Sequence, residues 1–191
     1  MSAATKLPIR MTVDEFLDWN PGDGQRWQLI DGEPRSMSPT SRTHARVQAR
    51  LAGLIDAHLT AQDSPCSVLT APGIIPAIMP RHNYRIPDLA VTCTDYEREE
   101  YALSNPIFLV EILSPSNTGD TWANIWAYTS IPSVREILVV HTGKIAAELL
   151  RRQPDQTWPE PLTVATGSLT LDTIGLTLPV IELYLGTRLA R

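Results

Sequence analysis

Two acidic residues of this sequence, Asp88 and Glu111, stand where acids are rare, because each lies in or beside a run of apolar residues. Asp88 follows Pro87 and opens the stretch at residues 89–93, and Glu111 interrupts the run at 106–113. An ionised carboxylate in such surroundings is unfavourable unless it is paired, hydrogen-bonded or bound to a metal ion; otherwise its pKa rises until it is neutral. Both residues are therefore candidates for chemistry, provided that their two segments are neighbours.

The run at residues 106–113 predicts a central β-strand. Because side chains alternate between the two faces of a strand, one face carries Ile107, Leu109, Glu111 and Leu113, and the other carries Phe108, Val110 and Ile112. Glu111 is the one polar residue on either face, so we expect both faces to be covered. A second strand is predicted at residues 84–93, and if the two strands pair, the carboxylates of Asp88 and Glu111 converge.

Caps, periodicity and turn residues predict the elements that position this pair. Thr12 and Glu15 form a capping box that begins a short helix, and Asp31-Gly32 is typical of the turn of a β-hairpin, with strands at 26–30 and 33–37 and an edge at Pro34. Ser41 is expected to cap a helix at 42–61, whose apolar arc consists of Val47, Leu51, Leu54, Ile55 and Leu59. The later elements are strands at 66–70 and 73–78, a helix at 120–130, a hairpin with strands at 135–141 and 144–151, a strand beginning at Leu169 and a short helix at 179–185. Trp122 and Trp126, four residues apart, are expected to pack in the core.

Composition sets the remaining expectations. The chain has 191 residues, a net charge of −5 and 16 prolines, which fits a flexible N-terminus at 1–10, a single domain at 11–186 and a C-terminal tail at 187–191. No apolar run approaches the roughly 20 residues of a membrane helix and the N-terminus lacks the apolar segment of a signal peptide, so we expect a soluble cytoplasmic protein. Cys66 and Cys93 lack a zinc-site spacing and are interpreted as small core residues. The acidic balance means that any contact with nucleic acid needs a local basic patch or a bridging metal ion.

Three segments in order, at residues 27–33 (WQLIDGE), 87–88 (PD) and 110–116 (VEILSPS), give the chain a family resemblance. It resembles the Uma family of restriction endonuclease-like proteins, within the PD-(D/E)XK nuclease superfamily, over residues 11–186. The resemblance implies an α/β, restriction-endonuclease-like PD-(D/E)XK fold, with a mixed central sheet flanked by helices and with extra β-hairpins. It also implies that Asp88 and Glu111 are ligands of Mg²⁺ or Mn²⁺ and that the protein is an endonuclease hydrolysing phosphodiester bonds in DNA. A homodimer is an open alternative to a monomer. Hard carboxylate oxygens suit such ions.

The chain departs from the family pattern at the expected lysine. The superfamily places a lysine two residues after the glutamate, where this chain has Leu113. Many members of the Uma family place it on the next helix, midway between an aspartate and a tyrosine; Asp120 and Tyr128 match that frame, and the middle position is Asn124. An amide can orient a water molecule by hydrogen bonding but cannot take its proton. The two lysines of the chain, Lys6 and Lys144, lie outside these motifs.

Two further positions carry site predictions. Gln28 stands where the family usually has glutamate, and a neutral side chain binds a metal ion less well. His44 matches a recurrent family position and could assist proton transfer, although a capping or packing role is an equally open alternative. The predicted catalytic set is therefore Asp88, Glu111, Asn124, Gln28 and His44.

Basic residues near these motifs could contact a nucleic acid backbone. Arg42, Arg46 and Arg50 recur every four residues along the flank of the long helix and could follow phosphates, with a solvated helix face as the alternative. Arg85, just before the Pro-Asp motif, could stabilise phosphate charge but not act as a base. Two functions remain open at this point. The first is a metal-dependent endonuclease, and the second is a weak or inactive pseudo-nuclease that binds nucleic acid or protein, because the usual lysine is replaced at Leu113 and Asn124.

Overall fold

The centre of the protein is a six-stranded mixed sheet, in a computed structural model that describes residues 10–95, 101–114 and 118–191. Its strands in spatial order are β3 (Ser67–Thr70), β4 (Leu89–Thr92), β5 (Pro106–Leu113), β6 (Glu136–His141), β7 (Ala147–Arg151) and β8 (Leu162–Val164). The β5–β6 pair is parallel and the other pairs are antiparallel. A parallel pair needs a crossover connection, and here it contains the helix α3 (Thr118–Tyr128). The predicted mixed central sheet is confirmed, and β8 is an addition to it.

Helices cover both faces of the sheet. The long helix α2 (Arg42–Ala61) has the predicted bounds and is capped by Ser41, whose hydroxyl accepts a hydrogen bond from the backbone N–H of His44. Its buried residues pack with Phe108, Val110 and Ile112 of β5. On the opposite face, α3 packs against Leu109 and Leu113 of the same strand. The predicted alternation is confirmed from Phe108 to Leu113, and β5 is buried on both sides. Ile107 is an exception, because it packs against the cluster on the α2 side.

The N-terminal part adds a hairpin beside the main sheet. After the short helix α1 (Val13–Asp18) with its capping box, β1 (Trp27–Ile30) pairs with β2 (Glu33–Ser36). The turn residues Asp31 (φ 50°) and Gly32 (φ 83°) both have the left-handed conformation that such a hairpin turn requires. Backbone hydrogen bonds join Leu29 of β1 to Tyr84 in both directions, at 2.8 and 2.9 Å. The hairpin is thereby fixed next to the segment that carries Arg85 and Asp88.

The C-terminal part differs from the predicted strand and short helix. Two strands, β9 (Ser168–Leu171) and β10 (Leu176–Pro179), form an antiparallel hairpin, and the segment Val180–Tyr184 is a 3-10 helix. Each strand is only four residues long, so its alternation of buried leucines covers too few residues to be distinctive. The expected tail does not project freely from the domain, because Leu189 and Ala190 pack against the cluster on the α2 side of the sheet.

Several local predictions are wrong. Residues 73–78 do not form a strand; Pro72 and Pro76 cannot donate ladder hydrogen bonds, and Ile74 alone forms an isolated bridge, with Arg85. Trp126 is not in the core, since 57% of it is exposed. Its helical spacing from Trp122 indicates a shared face but not which face is covered.

The two cysteines are not isolated core residues, because Cys66 and Cys93 form a disulfide. The register of β3 and β4 pairs Ser67 with Thr92, so the cysteines that flank these residues face each other. The predicted flexible segment at 1–10 lies outside the described residues except for Arg10. Within the described ranges, no helix combines the length and the apolar character needed to cross a bilayer.

Candidate active site

The acids Asp88 and Glu111 lie on neighbouring strands, as predicted. The register of β4 and β5 pairs Leu89 with Val110, so the next position outward places Asp88 opposite Glu111. The backbone N–H of Ile112 donates a hydrogen bond to Oδ2 of Asp88 at 2.6 Å. Two segments that are distant in sequence thus bring two carboxylates together at one end of the β4–β5 pair.

Two side chains of α2 form hydrogen bonds with Asp88, in addition to the backbone N–H from β5. Its Oδ1 lies 2.7 Å from Nε2 of His44, in the first turn of α2. Because an ionised carboxylate only accepts hydrogen bonds, this nitrogen carries the proton. Gln48, one turn further along α2, donates to the backbone carbonyl of Asp88 at 2.9 Å. The predicted residue His44 therefore contacts a predicted acid directly, and Ser41 at the helix N-terminus helps to fix its place.

Glu111 is buried, with 6% of its surface exposed, and the hydroxyl of Tyr128 donates to its Oε1 at 2.7 Å. Burial raises the pKa of Glu111 well above its usual value, and the negative charge of Asp88 raises it further. Hydrogen bonds from Tyr128 and Asn124 and the charge of Arg85 oppose this shift. The two acids repel each other here, so protonation of Glu111 or binding of a cation would relieve the repulsion.

Arg85 lies inside the protein, where 4% of the residue is exposed. It donates from NH1 to Oδ1 of Asn124 at 2.7 Å and from NH2 to Oδ1 of Asn83 at 2.9 Å, whereas its Nε has no partner. Burial lowers the pKa of Arg85, but an arginine remains protonated in proteins. These contacts give Arg85 an internal role, and they do not support the phosphate contact predicted for it.

The two positions that depart from the family pattern meet in the structure. Nδ2 of Asn124 in α3 donates to Oε1 of Gln28 in β1 at 3.4 Å, across 96 residues of sequence. Both side chains are buried. Leu113, at the superfamily position of the lysine, is buried in the apolar cluster with Ile125. In the described part of the site, Leu113 and Asn124 therefore occupy the two positions where a lysine was expected. Gln28 occupies the position where glutamate was expected.

The arginines of α2 do not lie on the side of α2 that contacts Asp88, and two of them contact the C-terminal segment. Nε of Arg46 donates to the carbonyl of Leu185 at 3.2 Å, and the guanidinium of Arg50 bonds to the backbone and side chain of Glu182. Arg42 is exposed at the start of the helix. The structure does not bring these residues to the two acids, and their contact with nucleic acid stays a prediction.

Sequence reasoning missed the support that surrounds Arg85. Asn83 is fully buried; it receives a hydrogen bond from the backbone N–H of Asp31 and donates to that residue's side chain at 3.0 Å. Asn83 thus links the hairpin turn to Arg85 and, through it, to Asn124. The sequence feature that could have indicated this role is an Asn two residues before an Arg, in the segment that leads into the Pro-Asp motif.

The donor set fits a magnesium-type ion. Such ions are commonly bound through one or two carboxylates, with water and substrate oxygens completing the shell, and Asp88 and Glu111 supply two. Each carboxylate oxygen has two acceptor sites, so the hydrogen bonds from His44, Ile112 and Tyr128 leave room for a cation. In residues 10–95, 101–114 and 118–191, no group of three or more His, Cys, Asp and Glu side chains could hold a metal ion by itself. A cage built by the protein alone is therefore not present in this part of the chain.

A mixed sheet covered by helices on both faces, with two acids on adjacent strands, defines a restriction-endonuclease-like α/β protein. The chain belongs to the Uma2 family, described as "Putative restriction endonuclease", whose profile matches residues 13–181. A relative in Synechocystis sp., the uncharacterized protein slr1290, is 27% identical over 179 residues, which cover 93% of each chain.

A solved structure shares the fold. A crystal structure from Anabaena variabilis, described as "a putative nuclease belonging to DUF820", superposes with a TM-score of 0.74 at 17% identity, covering 91% of this chain and 97% of that one. At this identity the likeness establishes the common fold. The family and this neighbour are each described only as a "putative" nuclease.

Proposed function

We propose that this protein is a metal-dependent endonuclease that hydrolyses phosphodiester bonds in DNA, with Asp88 and Glu111 holding Mg²⁺ or Mn²⁺. The observation that carries the proposal is the meeting of two carboxylates, Asp88 and the buried Glu111, at one end of the β4–β5 pair. Glu111 is buried and its pKa is raised by burial and by the charge of Asp88, so the pair favours a bound cation. Family membership makes phosphodiester hydrolysis the reaction to test first.

The side chains around the acids orient them for this task. The N–H groups of His44 and Ile112 point at the carboxylate of Asp88, and the hydroxyl of Tyr128 points at that of Glu111. Each hydrogen bond fixes one oxygen and leaves a lone pair for a cation. A bound ion would supply an activated water molecule and neutralise charge that develops on the phosphate.

The proton of the attacking water needs an acceptor, and this is the weak point of the site. Asn124 cannot serve, because an amide does not take a proton from water. Its Oδ1 accepts from Arg85, so the group that it turns towards Glu111 is the NH₂ donor. We assign proton transfer to His44, whose Nδ1 is an acceptor when Nε2 carries the proton that faces Asp88. General-base catalysis supplies about two to four orders of magnitude in rate, and we therefore expect slow cleavage.

Cleavage of supercoiled plasmid tests the proposal. Wild type, Asp88→Asn and Glu148→Gln are incubated with Mn²⁺ or Mg²⁺, with chelator as a blank. Glu148 is a matched control, because it is also a sheet carboxylate hydrogen-bonded to a histidine, His141, at 2.6 Å. Nicking by wild type and by the control, together with its loss in Asp88→Asn, is the expected outcome. Equal nicking by all three would reject the assignment.

A second function, a pseudo-nuclease that binds nucleic acid without cutting it, is favoured by one specific observation. Both positions where a lysine was expected are filled by residues with internal partners: Leu113 packs in the core, and Asn124 bonds to Arg85 and Gln28. For this function we expect metal-dependent DNA binding in a mobility-shift assay, with no nicking at any enzyme concentration. Turnover that depends on Asp88 would exclude it.

A further inference from the structure

The amide of Asn124 has a fixed orientation in the site. A guanidinium can donate hydrogen bonds but cannot accept them, so the atom of Asn124 that lies 2.7 Å from NH1 of Arg85 is the carbonyl oxygen. The NH₂ group must then face the opposite way, towards Oε1 of Gln28 at 3.4 Å and towards Glu111. Asn124 is therefore an acceptor on the Arg85 side and a donor on the side of Gln28.

Gln28 and Asn124 are each 7% exposed and contribute no charge. Among the described residues, the charged groups that contact Asn124 are Arg85 on one side and Glu111 on the other. A charge added at either position would therefore have little access to water, so its effect on stability depends on the charges and hydrogen-bond partners that lie beside it.

A single charged substitution in this pair is unfavourable for an identifiable reason. A lysine at position 124 would place an ammonium where Arg85 now finds its acceptor, so NH1 would lose a hydrogen bond and face a like charge. A glutamate at position 28 would add a third carboxylate, one hydrogen-bonded side chain away from Glu111. Made together, the two substitutions add no net charge, and the carboxylate can accept a hydrogen bond from the ammonium.

We propose that Gln28 is a positioning residue that determines which charge position 124 can carry. The neutral pair of Gln28 and Asn124 is one unit, and a lysine at position 124 costs less stability when residue 28 is glutamate than when it is glutamine. The two departures from the family pattern are then a single coupled exchange. The inference concerns the proposed nuclease site, but the pairing itself does not depend on whether that site cuts DNA.

A thermodynamic cycle tests this coupling without relying on activity. Unfolding by urea is measured at pH 7.5 without metal for wild type, Gln28→Glu, Asn124→Lys and the double variant. Each single variant is expected to raise the unfolding equilibrium constant by some factor. The factor measured for the double variant should be smaller than the product of the two single factors by about tenfold or more. If Asn124→Lys does not fold alone, recovery of a cooperative transition in the double variant supports the proposal equally.

Methionine at position 124 provides the matched control, because it is unbranched and long like lysine but uncharged. Gln28→Glu should rescue Asn124→Lys and should not rescue Asn124→Met, a difference that a merely structural role of Gln28 would not produce. Multiplicative losses in the lysine cycle, or equal rescue of lysine and methionine, overturn the proposal.

A plasmid-nicking assay with Mn²⁺ distinguishes failure of the proposed pairing of residues 28 and 124 from failure of the proposed nuclease function. The double variant is expected to exceed wild type by about a hundredfold, within the usual contribution of general-base catalysis. Coupling without nicking supports the pair and counts against the nuclease, and nicking without coupling overturns the pair.

Discussion

Replacing Glu111 by glutamine should stabilise the metal-free protein at neutral and alkaline pH. Burial and the charge of Asp88 raise the pKa of Glu111 well above its reference value of 4.5. The folded protein therefore binds the proton of this carboxyl more tightly than the unfolded chain does. The stability that this proton contributes is fully present below about pH 4.5 and is lost as the pH rises through the folded-state pKa. Glutamine keeps the size of the side chain and removes the charge.

The size of the effect follows from the burial of the group. A polar group that leaves water without full compensation costs about 1 to 3 kcal/mol, and Glu111 is 6% exposed. Tyr128 can still donate to the amide oxygen, so most of this penalty should be recovered in Glu111→Gln. For a chain of this length about 1 kcal/mol shifts the unfolding midpoint by about 2 to 4 °C, which predicts a rise of about 2 to 12 °C at pH 8.

Thermal and urea unfolding between pH 4 and pH 8, with chelator present, measure this prediction. The stability of Glu111→Gln relative to wild type should increase as the pH rises, and the difference in stability should be smallest at pH 4. Glu136→Gln is the control, because Glu136 is equally buried but is paired with Arg151 at 2.6 Å; we expect it to lose stability at neutral pH. A difference between Glu111→Gln and wild type that is constant or shrinks with rising pH would refute the reasoning.

Three further predictions concern the supports of the site and the sheet. Tyr128→Phe removes the donor to Glu111 and should lower the free energy of unfolding in urea by about 1.5 to 3 kcal/mol at pH 8, because that is the usual contribution of a hydrogen bond to a charged group. An unchanged free energy of unfolding would show that this bond does not hold the carboxylate. Replacing Cys66 and Cys93 by alanine opens a disulfide that spans 27 residues and should lower the unfolding free energy by about 3 kcal/mol, whereas insensitivity of wild type to reductant would contradict the pairing. Leu51→Ala, at a fully buried position of α2, should cost about 2 to 5 kcal/mol, and a cost below about 1 kcal/mol would argue against the packing of α2 on the sheet.

Local signals in the sequence were sufficient for β5, which carries Glu111, and for α2, which carries His44, whereas the strand predicted at 84–93 is confined to Leu89–Thr92. Ser41 and the apolar spacing that follows it predicted α2 with its observed bounds, and alternation predicted β5 as a strand covered on both faces. The convergence of Asp88 and Glu111 needed only the assumption that β4 and β5 are neighbours. These predictions succeeded because caps and periodicity are properties of a few adjacent residues.

Features that depend on register or on distant contacts were not accessible in this way. The cysteine pair results from the alignment of β3 with β4, and no local pattern specifies that alignment. The burial of Arg85 depends on the bridge to Ile74 and on the hairpin that brings Asp31 to Asn83. The contact between Gln28 and Asn124 joins β1 to α3, so two apparently independent departures from the family pattern could not be recognised as neighbours.

Metal binding by Asp88 and Glu111 is tested most directly by an anomalous-scattering map from crystals grown with Mn²⁺. We expect one strong peak within bonding distance of a carboxylate oxygen of Asp88 and one of Glu111, and no peak at that position in crystals of Glu111→Gln. A map in which Mn²⁺ binds elsewhere, or in which the peak persists in Glu111→Gln, would contradict the assignment of these two acids as the metal ligands.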